Sequence, residues 1–397
     1  MKKMKICFTT NSSPWTKFHG GGQIFVHNVA EKLSSKGHQV TVIYTGPGVK
    51  PSSGIPACGY RVEWAMFIGY PWTAKFRQLN SITVYNKLKS LKKKSGFDVV
   101  NSVGSESLFI PGFCRPRKIP FFVSIEHPAL YSIRPVCKVS SPVRSLLSIL
   151  RARELAAIKY ACRRADGIIT PSDFTKAEVV KYFGVGGREI SVIYHGLNED
   201  MLVDSPEPCN HNVSGPLLFF GRLEPQKGVD LLINAYYRLV KEEIISGQKL
   251  IIIGDGPYAD VYRKMTQDLG LKERVTFSGW LPSAGIKKHL QGSSLCVLPS
   301  RSESFGLTMV EALSLGTPLV TTQGGSIPEV VDNENGAWLA RMDDTESLFE
   351  VIRMAVENYE ESLKRAGHGQ KHVKEHFSWH KAAREYEQFY LEIINRA

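Results

Sequence analysis

A short apolar run, a helix-period stretch and another apolar run follow one another along this chain, and the whole pattern is stated twice. Residues 4–10 (MKICFTT) lead to Gly20-Gly21-Gly22 and a helical stretch from Gln23 to Lys36. Gly37 closes it, and QVTVIYT (Gln39–Thr45) is the next strand. That spacing is the spacing of a right-handed βαβ unit, which sets its strands side by side in a parallel sheet. Further strands are expected at Val99–Ser102, Phe121–Ile125, Gly167–Thr170 and Glu189–Ile193. The stretch Asn198–Pro216 is rich in Pro, Asn and Ser, has no periodicity, and reads as a linker. Beyond it, strands at Leu217–Phe220, Lys249–Ile253, Arg274–Gly279, Ser294–Leu298 and Thr317–Thr322 alternate with helices near Asp230–Glu243, Tyr258–Leu269, Ser283–Gln291 and Gly306–Leu315. The expected fold is α/β: two doubly wound domains over 1–197 and 216–378, joined by a linker at 198–215 and facing one another across a cleft. A closing helix over 379–397 carries Trp379, Ala383, Tyr386, Phe389, Tyr390 and Ile393 on one apolar face. It is expected to pack back toward the N-terminal domain.

Composition narrows the class. The chain has 397 residues, 43% hydrophobic and 22% charged, enough to bury two or three cores of ~100–200 residues each and too apolar for a disordered tail. Its longest apolar stretches, around Ile252 and Phe122, fall far short of the ~20 residues that a spanning helix needs. The segment MKKMKICFTTNSS has no apolar stretch of the kind a secretory signal carries. Seven cysteines stand singly, without a C-x-x-C, which argues against a disulfide framework or a zinc site and fits a reducing compartment. The expectation is a soluble, cytoplasmic protein.

The net charge of +12 is unevenly placed: residues 1–200 hold 29 Lys and Arg against 12 Asp and Glu, whereas residues 201–397 hold 21 against 26. Lys87, Lys89, Lys92, Lys93 and Lys94 surround one helix; Arg144, Arg151, Arg153, Lys159, Arg163 and Arg164 line another. Such a half can meet an anionic lipid surface or a phosphorylated substrate, although solvated lysines on ordinary helices give the same clusters. No zinc-finger spacing, RNP-type motif or helix-turn-helix pattern accompanies the charge, so nucleic acid is not an expected partner. The stretch Ser141–Ala165 mixes Leu146, Leu147, Leu150 and Ile158 with arginines as an interfacial helix would, which suggests a peripheral place on the inner face of a membrane.

Open α/β sheets bind ligands beyond the carboxyl ends of their strands, and four candidates fall there. Gly20-Gly21-Gly22 opens a helix, where backbone N–H groups and the helix terminus favour an anion, although tight turns use glycine too. In GRLEPQKG (Gly221–Gly228), Arg222 and Lys227 offer a fork and a point charge able to clamp two phosphates. In ESFGLTMVE, Glu303 precedes a helix and Glu311 lies inside it, roughly 10 Å apart by helix rise, which suits a long ligand with hydroxyls at both ends. The bland alternative makes Glu303 a capping carboxylate and Glu311 an exposed one. The amides near Phe305, Gly306 and Leu307 again face an anion. His127, in SIEHPAL, ends a strand of the first half. Four histidines (His368, His372, His376, His380) stand four apart, but Phe377-Ser378 is expected to break that helix, and no metal site is expected.

Taken together these residues resemble the retaining GT-B glycosyltransferases of family 4. The resemblance covers nearly the whole chain: the glycine loop, GHQVTVI (Gly37–Ile43), TPSDFTK (Thr170–Lys176), VIYHGLN (Val192–Asn198), GRLEPQKG, IIIGDGP (Ile251–Pro257), E-x7-E, GTPLVTTQGGSIPEVV (Gly316–Val331) and the closing FSW helix. One departure is His195-Gly196, where the family more often has Asn-Gly. The resemblance implies two Rossmann-like domains and a nucleotide-sugar donor, a UDP- or GDP-sugar, held mainly by the C-terminal half. It implies that Arg222 and Lys227 bind the diphosphate, Glu311 the ribose and Glu303 the hexose hydroxyls. Phe305, Gly306, Leu307 and Thr308 would supply amides or a hydroxyl to phosphate and sugar. Gly21 and Gly22 would reach the diphosphate, and His127 the transferred sugar. It implies net retention, no metal or other cofactor, and a glycan or lipid-linked acceptor in cell-surface polysaccharide or glycolipid synthesis. A sugar-nucleotide epimerase of the same architecture and a non-catalytic basic protein of the membrane surface are the alternatives. A dinucleotide oxidoreductase needs an acidic residue ~20 positions beyond its glycine loop, and QVTVIYT ends without one.

Overall fold

The computed structural model describes residues 3–11, 13–15, 21–45, 57–68, 79–92, 96–126, 142–197, 201, 212–245 and 247–396; for residues 21–23 and 142–151 it describes the backbone. The chain forms two compact units, Met1–Gly196 with Trp379–Ala397, and Leu197–Ser378.

In the first unit, strands β1 (Lys5–Thr10), β2 (Gln39–Tyr44), β3 (Arg61–Trp64), β4 (Val99–Val103), β5 (Phe121–Ser124), β6 (Gly167–Thr170) and β7 (Glu189–Val192) make one parallel sheet in the order β3-β2-β1-β4-β5-β6-β7. Helices α1 (Gly21–Ser35), α2 (Asn80–Lys92), α3 (Ile110–Cys114), α4 (Pro142–Cys162) and α5 (Asp173–Phe183) connect them. Successive strand residues point to opposite faces, and here both faces are covered. Phe8, Val42, Val99 and Phe122 join a core with Phe25, Val29 and Leu33 of α1. Their neighbours Cys7, Ile43, Val100 and Val123 join another with Val84, Phe113, Ile158 and Phe183. Two-sided burial is why these strands read as continuous apolar runs. Ile158 is therefore a correction to the interfacial-helix expectation: it is 7% exposed and belongs to the core. Local signals set the helix ends. Ser172 caps α5 by accepting the Thr175 N–H at 3.1 Å, and Gly184 closes it with φ of 65°.

The second unit repeats the design with six parallel strands: β8 (Leu217–Phe220), β9 (Leu250–Ile253), β10 (Val275–Gly279), β11 (Leu295–Leu298), β12 (Leu319–Thr322) and β13 (Trp338–Ala340), ordered β10-β9-β8-β11-β12-β13. Helices α6 (Val229–Lys241), α7 (Ala259–Asp268), α8 (Ser283–Gly292), α9 (Leu307–Ser314), α10 (Ile327–Val330), α11 (Thr345–Glu357) and α12 (Tyr359–His376) belong to it. The last helix, α13 (Trp379–Arg396), packs in the first unit, where Trp379, Tyr386, Phe389, Tyr390 and Ile393 enter the core beside α1. Buried Glu387 lies on the same helix and takes His38 Nε2 at 3.0 Å and the Lys36 ammonium.

Each sheet is built outward from a central strand in both directions. The chain runs from β1 to β3 on one side and resumes at β4 on the other; it repeats this from β8 to β10 and then β11. The reversal leaves a crevice at the carboxyl ends of β1/β4 and of β8/β11, the places where such sheets take ligands.

Candidate active site

At the β8/β11 crevice the loop 221–228 meets the loop 299–306. Lys227 ends a 3-10 turn (Pro225–Lys227) at the close of the first loop. Gly228 follows with φ of 68°, and a Cβ there would sit 2.0 Å from the Pro299 carbonyl oxygen, so only glycine lets the two loops touch. The contact delivers Lys227 Nζ to 2.5 Å from Glu303 Oε1, with side chains 16% and 7% exposed. Ser300 donates its hydroxyl to the same carboxylate oxygen at 2.7 Å. Glu303 is also tied through its backbone, its carbonyl accepting the Ser326 N–H at 3.0 Å beside the bridge to Gly325. A carboxylate fixed in this way on a part-buried ammonium forms a preorganised charge pair. An ammonium carries three donors, so a lysine can hold a carboxylate and an anionic ligand together.

Glu303 stands three residues before the N-cap of α9. The residue at the N-cap of α9 is Gly306, with φ of 94°. Phe305 is buried, its ring edge-on to Phe377 at 5.2 Å, and it anchors the turn that aims the helix. Leu307 and Thr308 form the first turn of α9, and half-buried Glu311 lies in its middle. Arg222 stands apart from the pair: its side chain is half-exposed and Nη1 lies 3.3 Å from Glu224 Oε1. The structure thus brings Lys227 and Glu303 together and places Arg222 on the same loop in solvent.

In the first unit Gly21 and Gly22 are the first two residues of α1. His127 lies outside the described residues; its neighbour Glu126 has Oε2 2.9 Å from His195 Nε2, and the His195 ring stacks on Phe25 at 5.3 Å. His195 is therefore built into the core of this unit. The β1/β4 crevice holds a residue that the sequence reading missed. Glu106, just after β4, is fully buried; its Oε1 accepts the Val103 N–H at 3.0 Å and the Ser102 hydroxyl at 3.3 Å. Burial pushes its pKa up to about 8 against those hydrogen bonds.

Among the described residues no three His, Cys, Asp or Glu side chains form a group able to hold a metal. The histidine row is split: α12 ends at His376, His380 lies in α13, and His368 Nε2 is 2.7 Å from Asp332 Oδ2.

Residues 214–372 match the family described as glycosyl transferases group 1, and residues 19–201 match the glycosyltransferase family 4 description. Together they take in every strand of the two sheets except β1. The chain belongs to the group 1 glycosyltransferases. This transferase is 27% identical to an uncharacterized glycosyltransferase of Methanocaldococcus jannaschii, with 96% of each chain covered. Its fold is GT-B, shared with sucrose-phosphate synthase of Thermosynechococcus elongatus at a TM-score of 0.82 and 18% identity over all of both chains. It is likewise similar to HepE of Anabaena in a complex with UDP and glucose, at a TM-score of 0.73 and 20% identity over 97% of this chain and 99% of that one. No helix among the described residues of the transferase is long and apolar enough to cross a membrane.

Proposed function

We propose that this transferase moves a hexose from a UDP- or GDP-sugar to a glycan or lipid-linked acceptor with retention at the anomeric carbon. The observation that carries the reading is the Lys227–Glu303 pair at the β8/β11 crevice. Breaking the bond between sugar and diphosphate leaves extra negative charge on the leaving group while the sugar becomes oxocarbenium-like. A fixed cation stabilises that charge more as the bond stretches, and only such differential binding lowers the barrier. In this assignment Lys227 and Arg222 meet the diphosphate, and Arg222, free to swing from Glu224, completes the clamp when the donor arrives. Glu303, held by Lys227 and Ser300, accepts from hexose hydroxyls, and Glu311 accepts from the ribose. The amides of Phe305, Gly306 and Leu307 and the Thr308 hydroxyl add donors at the N-terminus of α9. These cations and the helix terminus supply the positive charge that a divalent ion supplies elsewhere, so the reaction is assigned no metal and no other cofactor. Retention follows from attack of the acceptor on the face that the diphosphate leaves, with no protein nucleophile required.

The basic first unit fits a phosphorylated or lipid-linked acceptor, and with it a peripheral place on the cytoplasmic face of a membrane in polysaccharide or glycolipid synthesis. Two experiments test the reading. A thermal-shift panel of UDP-, GDP- and ADP-hexoses is expected to single out one donor, whose nucleotide is released on adding acceptor and whose turnover is unchanged by EDTA. Loss of turnover in EDTA contradicts the metal-free assignment, and nucleotide release independent of acceptor contradicts transfer. Cosedimentation with anionic vesicles at low salt, lost at high salt, is the expected membrane behaviour; no binding at low salt removes that part.

A further inference from the structure

The two loops of the β8/β11 crevice are paired residue by residue. Arg301 Nη1 donates to the Pro225 carbonyl, Gln226 Nε2 donates to the Ser302 carbonyl at 2.9 Å, and Lys227 Nζ donates to Glu303 Oε1 at 2.5 Å. Three successive residues of one loop thus meet three successive residues of the other, each rung joining positions 76 apart. The arginine of the first rung is held by further contacts. Arg301 also grips both oxygens of Asp230 at 2.9 and 2.7 Å, reaches Asp343 Oδ1 at 2.7 Å through Nε, and donates its backbone N–H to the Gln226 carbonyl at 2.8 Å. A planar five-donor fork makes that set of contacts; a lysine ammonium cannot.

The arrangement separates two tasks. Lys227 has a long, flexible stem, and its Glu303 rung must adjust when an anion arrives. The rungs at Pro225–Arg301 and Gln226–Ser302 involve no group assigned to the donor, so they persist through that change and keep the loops in register. We propose that Arg301 and Gln226 are positioning residues, which fix the separation of the Lys227 ammonium and the Glu303 carboxylate for the donor's diphosphate and sugar. The inference rests on the donor role given above to Lys227. A misplacement of ~1 Å at such a pair is enough to cost ~100-fold in rate, so the register of the loops carries catalytic weight although neither residue touches the ligand.

A double-mutant cycle tests this, because a residue acting through Lys227 loses its effect when Lys227 is gone. UDP, GDP and ADP are titrated calorimetrically into the native chain, Arg301→Lys, Lys227→Ala and the double variant. Whichever nucleotide binds the native chain is expected to bind Arg301→Lys ~10-fold more weakly, while the same change in the Lys227→Ala background costs less than ~2-fold. Equal losses in both backgrounds, or no loss in the native one, overturn the positioning role. If Arg301→Lys fails to fold by circular dichroism, Gln226→Ala, which removes one rung and leaves the arginine clamp, carries the same cycle with the same outcomes. A native chain that binds none of the three nucleotides overturns the donor reading, and the positioning role with it; native binding with equal losses overturns the positioning role alone.

Discussion

Lys227 and Glu303 stand 76 positions apart in the sequence and 2.5 Å apart in space, one on each side of the point where the strand order of the second sheet reverses. Because both are largely buried, removing one leaves the other charge without its partner, which costs ~3–5 kcal/mol in buried pairs. Glu303→Ala is therefore expected to lower the denaturation midpoint of the second unit clearly. The double variant Glu303→Ala/Lys227→Ala should recover part of the loss. A double variant no more stable than Glu303→Ala would show that the ion pair is not what the substitution breaks.

Lys227→Ala is expected to lower sugar transfer by ~100-fold or more at saturating donor, since one preorganised contact to developing charge is worth ~2.7–4 kcal/mol. Steady-state rates with donor well above KM are the measurement. An unchanged kcat would remove Lys227 from the chemistry and leave it a structural partner of Glu303.

Glu311, in the middle of α9, is assigned to the ribose, which is remote from the breaking bond. Glu311→Ala should raise the donor KM with little change in kcat, the signature of lost uniform binding. A fall in kcat at constant KM would place its effect in the transition state and contradict a ribose role.

Glu106 gives the first unit a pH dependence whose sign can be worked out. Its folded pKa of about 8 lies above the ordinary carboxyl value because burial disfavours the charge. Between those two values the unfolded chain has lost a proton that the folded one keeps, so stability falls as pH rises from about 4.5 toward 8. Glu106→Gln holds the neutral form permanently. Its thermal midpoint is expected to gain on the native protein progressively from pH 5 to pH 8; a gap that stays constant over that range would mean that Glu106 does not titrate this way.

The sequence shows most of the scaffold and only part of the site. β8 (LLFF) and β12 (LVTT) are legible because burial on both faces leaves an unbroken apolar run. β3 (RVEW) is half-exposed and mixes charge with apolar residues, and β13 has three residues; neither carries a local signal strong enough to read. Lys227 and Glu303 could be named from their motifs, but their pairing could not, since no local rule joins residues so far apart. Arg301 and Gln226 escape a sequence reading for the same reason: each reaches a backbone carbonyl of the other loop, which leaves no mark in a sequence, and the aspartates that Arg301 also holds lie 71 and 42 positions away. Glu106 sits in the polar run SES, which reads as a surface turn, and only the fold closes over it.

The central claim is that Lys227 holds the diphosphate of an activated sugar. Isothermal titration of UDP, GDP and ADP into the native chain and into Lys227→Ala addresses it without knowledge of the acceptor. The account predicts that one of the three binds the native chain with measurable heat and binds the variant at least ~10-fold more weakly, a difference of ~1.4 kcal/mol. No heat with any of them, or equal affinity for the two chains, would contradict it.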